Sequence, residues 1–113
     1  MSKIISYDNE NDILSIHKGF SNDEKFKGNI DAGELILDVS TRGRIRGIEV
    51  MNATDFFKEF NIGKKVLENI IDVQFNAVIK PSSIILGIII KARNVKHDIP
   101  AKIAVPLTIP NCQ

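Results

Sequence analysis

Oxygen-bearing side chains alternate along Asp8, Glu10 and Asp12, the donor pattern with which a calcium loop begins. A full loop would need Gly at position 13 and Glu at position 19, and the chain has Ile13 and Gly19 there. The ordinary reading of this stretch is a solvated hairpin turn, with a metal or small-ligand role for Asp8 and Asp12 as the alternative. A second cluster is richer in charge. Arg42, Arg44 and Arg46 lie near Glu34, Asp38 and Glu49, and together they could form a carboxylate–guanidinium face that holds a polar ligand or a partner. A solvated sheet face is the commoner use of such residues.

The other reactive types are sparse. His17 and His97 are far apart in sequence, and nothing in their spacing encodes a metal pair or a general base with its nucleophile. His17 shares strand parity with Ser15 rather than with Leu14 and Ile16, so it is expected on the outer face. Cys112 has no charged neighbour in sequence to activate its thiol. No glycine-rich phosphate loop, Ser-His-Asp pattern or zinc spacing occurs in the sequence. No catalytic residue, cofactor or metal site is therefore assigned; a non-enzyme is favoured, and a small-ligand or metal-binding protein or enzyme that uses the Asp8/Asp12 turn or the Arg42/Arg44/Arg46 face is the alternative.

These residues must be positioned by strands. Among 113 residues there are 20 Ile against 7 Val and 6 Leu, and β-branched Ile favours sheet. Lys3 to Tyr7 and Ile13 to Lys18 flank the Asp8–Asp12 turn as a first hairpin, and a weak edge strand is expected near Lys25 to Ile30. Glu34 to Val39 and Arg44 to Met51 flank Ser40-Thr41-Arg42-Gly43 as a second hairpin. If Val39 opposes Gly43, Asp38 faces Arg44 and Leu37 faces Ile45, leaving Ile36 and Ile48 on the charged side. A helical segment then runs from Asn52 to Ile70, interrupted at Asn61 and Gly63, with a second short helix or a kinked continuation from about Lys64. Asn52 or Thr54 would cap it, and Phe56, Phe57 and Phe60 would form its apolar stripe. The last third alternates again. Residues 72–80 form a one-side-buried strand, Pro81-Ser82-Ser83 turns the chain, and 84–90 is apolar on both faces. Core positions are odd before that turn and even after it, so paired numbers should sum to an odd value. Lys102 to Ile109 carries Pro106, which cannot donate to a ladder, and so should lie at a sheet edge.

Hydrophobic residues make up 43% and charged residues 26% of the chain, an ordinary globular composition. The formal charge of +1 argues against a nucleic-acid binder of the bulk-charge kind. Residues 1–56 hold 7 basic and 10 acidic side chains, residues 57–113 hold 8 and 4. An acidic half joined to a basic half suits complementary faces within one fold or between copies. A single cysteine and an N-terminus without an apolar core fit a cytoplasmic protein, and the longest apolar run, Ile84 to Ile90, is too short to span a membrane.

Several of these segments also resemble a known family. Tyr7-Asp8, then Asp12-Ile13-Leu14-Ser15-Ile16, then Gly33-Glu34-Leu35-Ile36-Leu37-Asp38, and Gly43 followed by Gly47-Ile48-Glu49-Val50 and Ala53 are similar to short prokaryotic proteins known as domain of unknown function number twenty-two eighty-three. Ser15 stands where the family usually has Tyr, and Asn52-Ala53-Thr54 where it has Asp-Ala-Ser. The resemblance covers about residues 4–60. It implies the hairpins, and it leaves room for an antitoxin-like role, but it assigns no activity.

The expected fold is α+β: one domain over 1–113, with a hairpin half (1–51), a helical segment (52–70) packed on the sheet, and a β-meander (72–109). The expected function is a self-associating interaction module, a homodimer with a protein partner conceivable. Its interface would use the second apolar face of the 84–90 strand and its neighbours, namely Val78, Ile85, Ile89 and Ala104.

Overall fold

In the computed structural model, which describes residues 3–107, the β-branched runs form two antiparallel sheets. The first joins β1 (Ile4–Asp8), β2 (Ile13–His17), β3 (Phe26–Ala32), β4 (Leu35–Ser40) and β5 (Ile45–Val50) in the order β1-β2-β5-β4-β3. The second is a meander of β6 (Ile70–Ile79), β7 (Ser83–Ala92) and β8 (Ile99–Pro106). Cys112 and the Thr108–Ile109 end of the expected last strand lie outside the described residues.

Local chemistry sets the turns. Asp8 Oδ1 accepts the backbone N–H groups of Glu10 and Asn11, both at 3.1 Å, and Asp12 takes a left-handed φ of 57° that Asp tolerates better than most residues. The turn fixes Tyr7 opposite Leu14 and Ile5 opposite Ile16. Between β6 and β7, the Lys80 N–H donates to the Ser83 carbonyl at 2.7 Å, leaving Pro81-Ser82 as a two-residue loop. Ile79 therefore pairs with Ile84 and Phe75 with Ile88, the odd-sum register the core pattern demands. Pro100 and Pro106 both sit in β8, an edge strand, as their missing N–H requires.

The β4–β5 hairpin departs from the expected register. Gly43 takes a φ of 74°, its N–H donates to the Ser40 carbonyl, and the Ser40 N–H donates to the Arg44 carbonyl. Val39 thus pairs with Ile45, not with Gly43. Arg46 is then an extra residue, because Asp38 already pairs with Gly47 and Leu37 with Ile48. This bulge switches parity. Ile48 joins Leu35, Leu37 and Val50 on the buried face, and the expected Asp38–Arg44 and Leu37–Ile45 pairs do not form.

The fold is mostly β, with antiparallel sheets as expected, and its helical segment is short. Three single turns follow β5: α1 (Ala53–Phe56), a 3-10 turn (Lys58–Phe60) and α2 (Lys64–Leu67). Asn61, left-handed at φ 57°, and Gly63 break the run. Phe57, Ile62 and Leu67 are fully buried, and Phe60 only partly, so the aromatic stripe centres on Phe57. The inner faces of both sheets join these side chains in one buried cluster, with Leu14, Ile16 and Leu37 from one sheet and Ile84, Leu86 and Ile88 from the other. Two β layers burying a common face account for this arrangement. None of the helices among the described residues is long and apolar enough to cross a membrane.

Candidate functional site

The arginine-bearing hairpin is organised around a carboxylate that the sequence did not single out. Glu24 lies in the loop between β2 and β3 with 4% of its surface exposed. Its Oε1 accepts the Ser21 N–H and hydroxyl at 3.0 Å each, and Oε2 accepts Arg44 Nε at 3.1 Å. Arg44 Nη2 is 3.0 Å and Arg46 Nε 3.4 Å from Oε1. Fully buried Ser40 accepts the N–H groups of Arg42 and Arg44, and its hydroxyl also bonds Glu24. The Ser21 N–H, the Ser40 and Ser21 hydroxyls and Arg44 together hold the Glu24 carboxyl at about 2, down from 4.5. Arg42 turns away and pairs with exposed Asp23.

Arg44 and Arg46 are thus brought together, as the sequence suggested, but onto Glu24. The acidic residues of the hairpin go elsewhere: Glu34 accepts from Asn52 at 3.0 Å, and Asp38 accepts from Asn29. No sequence signal marks Glu24, because one Glu among polar loop residues reads as solvated.

The Asp8–Asp12 turn has its oxygens engaged as well. Besides the two N–H groups at Oδ1, Asp8 Oδ2 accepts Asn11 Nδ2 at 2.9 Å. Asp12 Oδ1 accepts the Tyr7 hydroxyl at 2.7 Å, and Oδ2 accepts the Thr54 hydroxyl at 2.6 Å. The Thr54 N–H reaches both oxygens at 3.2 Å, and the Ala53 N–H donates to the Asp12 carbonyl at 3.0 Å. Asp12 therefore caps α1 from 42 residues away. Asn52 makes no side-chain cap bond, and Thr54 caps nothing, since its hydroxyl donates to Asp12. Partial burial opposes ionisation of Asp12, yet the bonds from Thr54 and Tyr7 prevail and keep its carboxyl below the usual range. Burial, followed by that bond, pushes the Tyr7 hydroxyl upward.

His17 is half-buried on the outer face of the first sheet, in a row with Gly47 and Asp38. Its Nδ1 accepts the Gly19 N–H at 2.8 Å, and its Nε2 lies 3.8 Å from Asp38 Oδ2. The Nδ1 nitrogen is thereby committed to the Gly19 N–H. His97 is exposed in the loop between β7 and β8, in the other sheet.

The remaining candidates share one surface. On the outer face of the second sheet Val78 pairs with Ile85, Ile85 with Ala104, and Ile89 with Pro100. Val78 and Ile89 are each 43% exposed, so the helical turns do not cover this face. Gly87 leaves a depression of about 560 Å³ at its centre, bordered by Ile89, Pro100 and Lys102.

A family model described as "Protein of unknown function (DUF2283)" matches residues 4–53, which hold β1 to β5 and the first residue of α1. It ends at residue 53, short of the residue 60 to which the motif resemblance extends. The chain is also 35% identical over 88 residues to an uncharacterised protein of Methanocaldococcus jannaschii, a match covering 77% of this chain and 69% of that relative. No solved structure matches. With the hairpin motifs and the family model in agreement, the chain belongs to the DUF2283 family of proteins of unknown function.

Proposed function

We propose that the protein is a non-enzymatic interaction module that self-associates, two copies stacking through the outer face of the β6-β7-β8 sheet. The supporting observation is the exposed apolar centre of that face, where antiparallel sheets ordinarily present polar residues. Val78, Ile85, Ile89, Pro100 and Ala104 form it, and Gln74, Lys80, Lys91 and Lys102 rim it.

The face suits a second copy of itself. Asp72 and Asp98 lie near one end, beside Gln74, Ile89 and Lys91, with Asp72 paired to Lys3, whereas Lys80 lies at the other. A two-fold axis crossing the strands near Gly87 lays the Asp72–Asp98 end of one copy on the Lys80 end of the other. It also sets the Ile89 row against the Val78–Ile85–Ala104 row. Such isologous pairing is the commonest closed assembly. Light scattering after size exclusion tests it: at tens of micromolar the mass should be twice the 12.6 kDa of the chain. Ile89→Lys should return it to the single-chain value. A wild-type monomer at that concentration overturns the reading, and a dimer that survives Ile89→Lys moves the interface elsewhere.

A further inference from the structure

Between the two sheets lies a second depression, about 500 Å³ in volume. Lys18, Arg44 and Arg46 line one side of it, and the Asn76–Ile79 stretch of β6 the other. β6 is an edge strand, so this side of its backbone has no partner strand. The volume is in the range that holds a small organic ligand, roughly 300–1,000 Å³.

The cations in this cleft outnumber their counter-charges. Glu24 serves both Arg44 and Arg46. Arg46 engages Glu24 and the Gly19 carbonyl through Nε, which leaves its two terminal amino groups without a protein partner among the described residues. Lys18 forms no ion pair among the described residues. Its ammonium stands 4.2 Å from the centroid of the Phe75 ring, a contact that orients a cation without neutralising it. Burial, then the charges of Arg46 and Lys3, push the Lys18 amine below its ordinary value. The folded protein thus holds like charges together in a partly desolvated place, a cost that an anion seated between them would offset.

We propose that this cleft binds a small phosphorylated molecule, the Lys18 ammonium and the free amino groups of Arg46 holding its phosphoryl group. A guanidinium matches two phosphoryl oxygens at once, and a lysine adds a compact charge beside it. Ile45 and Ile79, the latter 45% exposed, offer the organic part of the ligand an apolar wall. Its cations come from the first sheet, whereas Val78 on its other wall also belongs to the face proposed for self-association, so the titrations are run on the protein in one fixed oligomeric state.

Phenyl phosphate, inorganic phosphate and benzoate serve as probes, titrated at matched chloride into isotopically labelled protein and followed by amide chemical shifts. The expected result is saturable shifts at Lys18, Arg46 and 76–79, with phenyl phosphate tighter than inorganic phosphate and benzoate weakest. Lys18→Met keeps the aliphatic stem over Phe75 and should weaken phenyl phosphate about tenfold or more. It should also raise the melting temperature of the free protein by removing the repulsion, an effect opposite in sign to the loss of a structural contact. Asn76→Asp, at an exposed position facing the cleft, should compete with the ligand and weaken it as well. Shifts equal for benzoate and phenyl phosphate, shifts that never saturate, or an affinity unchanged in both variants would overturn the proposal.

Discussion

Gly47 carries no side chain at the point where His17 reaches across β5 toward Asp38. A Cβ built there would stand 2.6 Å from His17 Cδ2 and 2.8 Å from Asp38 Oδ2. The close approach, rather than any backbone angle, is what requires glycine. Gly47→Ala should therefore swing His17 away from the Gly19 N–H and destabilise by roughly 1–3 kcal/mol, the usual cost of overfilling a packed site. His17→Ala in that background should restore most of the loss. A double-mutant cycle by urea melts measures the coupling, and simple additivity would show that His17 is not what Gly47 makes room for.

Phe57 and Phe60 test the helical turns. Phe57 is fully buried among both sheets, and Phe57→Ala should cost about 3–5 kcal/mol. Phe60 is partly exposed and should cost clearly less. Melts with unchanged denaturant slopes would rank the two. The reverse order would move the core contact of this segment to the 3-10 turn.

The strands were legible in the sequence because alternation is local: Val73, Phe75, Ala77 and Ile84, Leu86, Ile88 name their own buried face, and Pro106 its edge. The pairing of β4 with β5 was not, because one bulged residue, Arg46, reverses parity and carries no mark in composition. The cap of α1 was hidden for another reason. Local rules look one or two residues upstream, to Asn52, whereas the acceptor is Asp12 in another hairpin. Glu24 and Lys18 were out of reach too, since their roles depend on burial set by distant strands. The arginines were visible as a group, but the partner that decides their chemistry was not.

Asp12 joins three structural duties: the left-handed turn, the bond from Tyr7 and the cap on Thr54. Asp12→Ala loses the cap, worth about 0.5–2 kcal/mol. It also puts an ordinary residue at positive φ, at roughly 1–2 kcal/mol more. Asp12→Asn tolerates the φ and keeps one oxygen acceptor, so it should lose distinctly less than Ala. Chemical denaturation of the two variants decides the point. Equal losses would mean that neither the backbone angle nor the retained acceptor matters there.

Acid should unfold the protein through Glu24. Its carboxyl is held at about 2 in the folded chain against 4.5 when unconstrained. A folded value below the unfolded one means that the unfolded state binds the proton more readily. The stabilisation is therefore fully present above the unfolded value, and it is lost as pH falls from about 4.5 toward 2. Asp12, Asp8, Asp23 and Asp72 are lowered in the same direction and add to the slope. Glu24→Gln removes the titrating group and leaves Arg44 and Arg46 facing a neutral amide. It should reduce stability at neutral pH more than the loss of exposed Asp23 does in Asp23→Asn, and it should flatten the acid limb of the stability profile. Urea melts from neutral pH down to pH 2.5 on the wild type and both variants provide the comparison. An acid limb as steep in Glu24→Gln as in the wild type would shift the acid sensitivity to the aspartates and take Glu24 out of it.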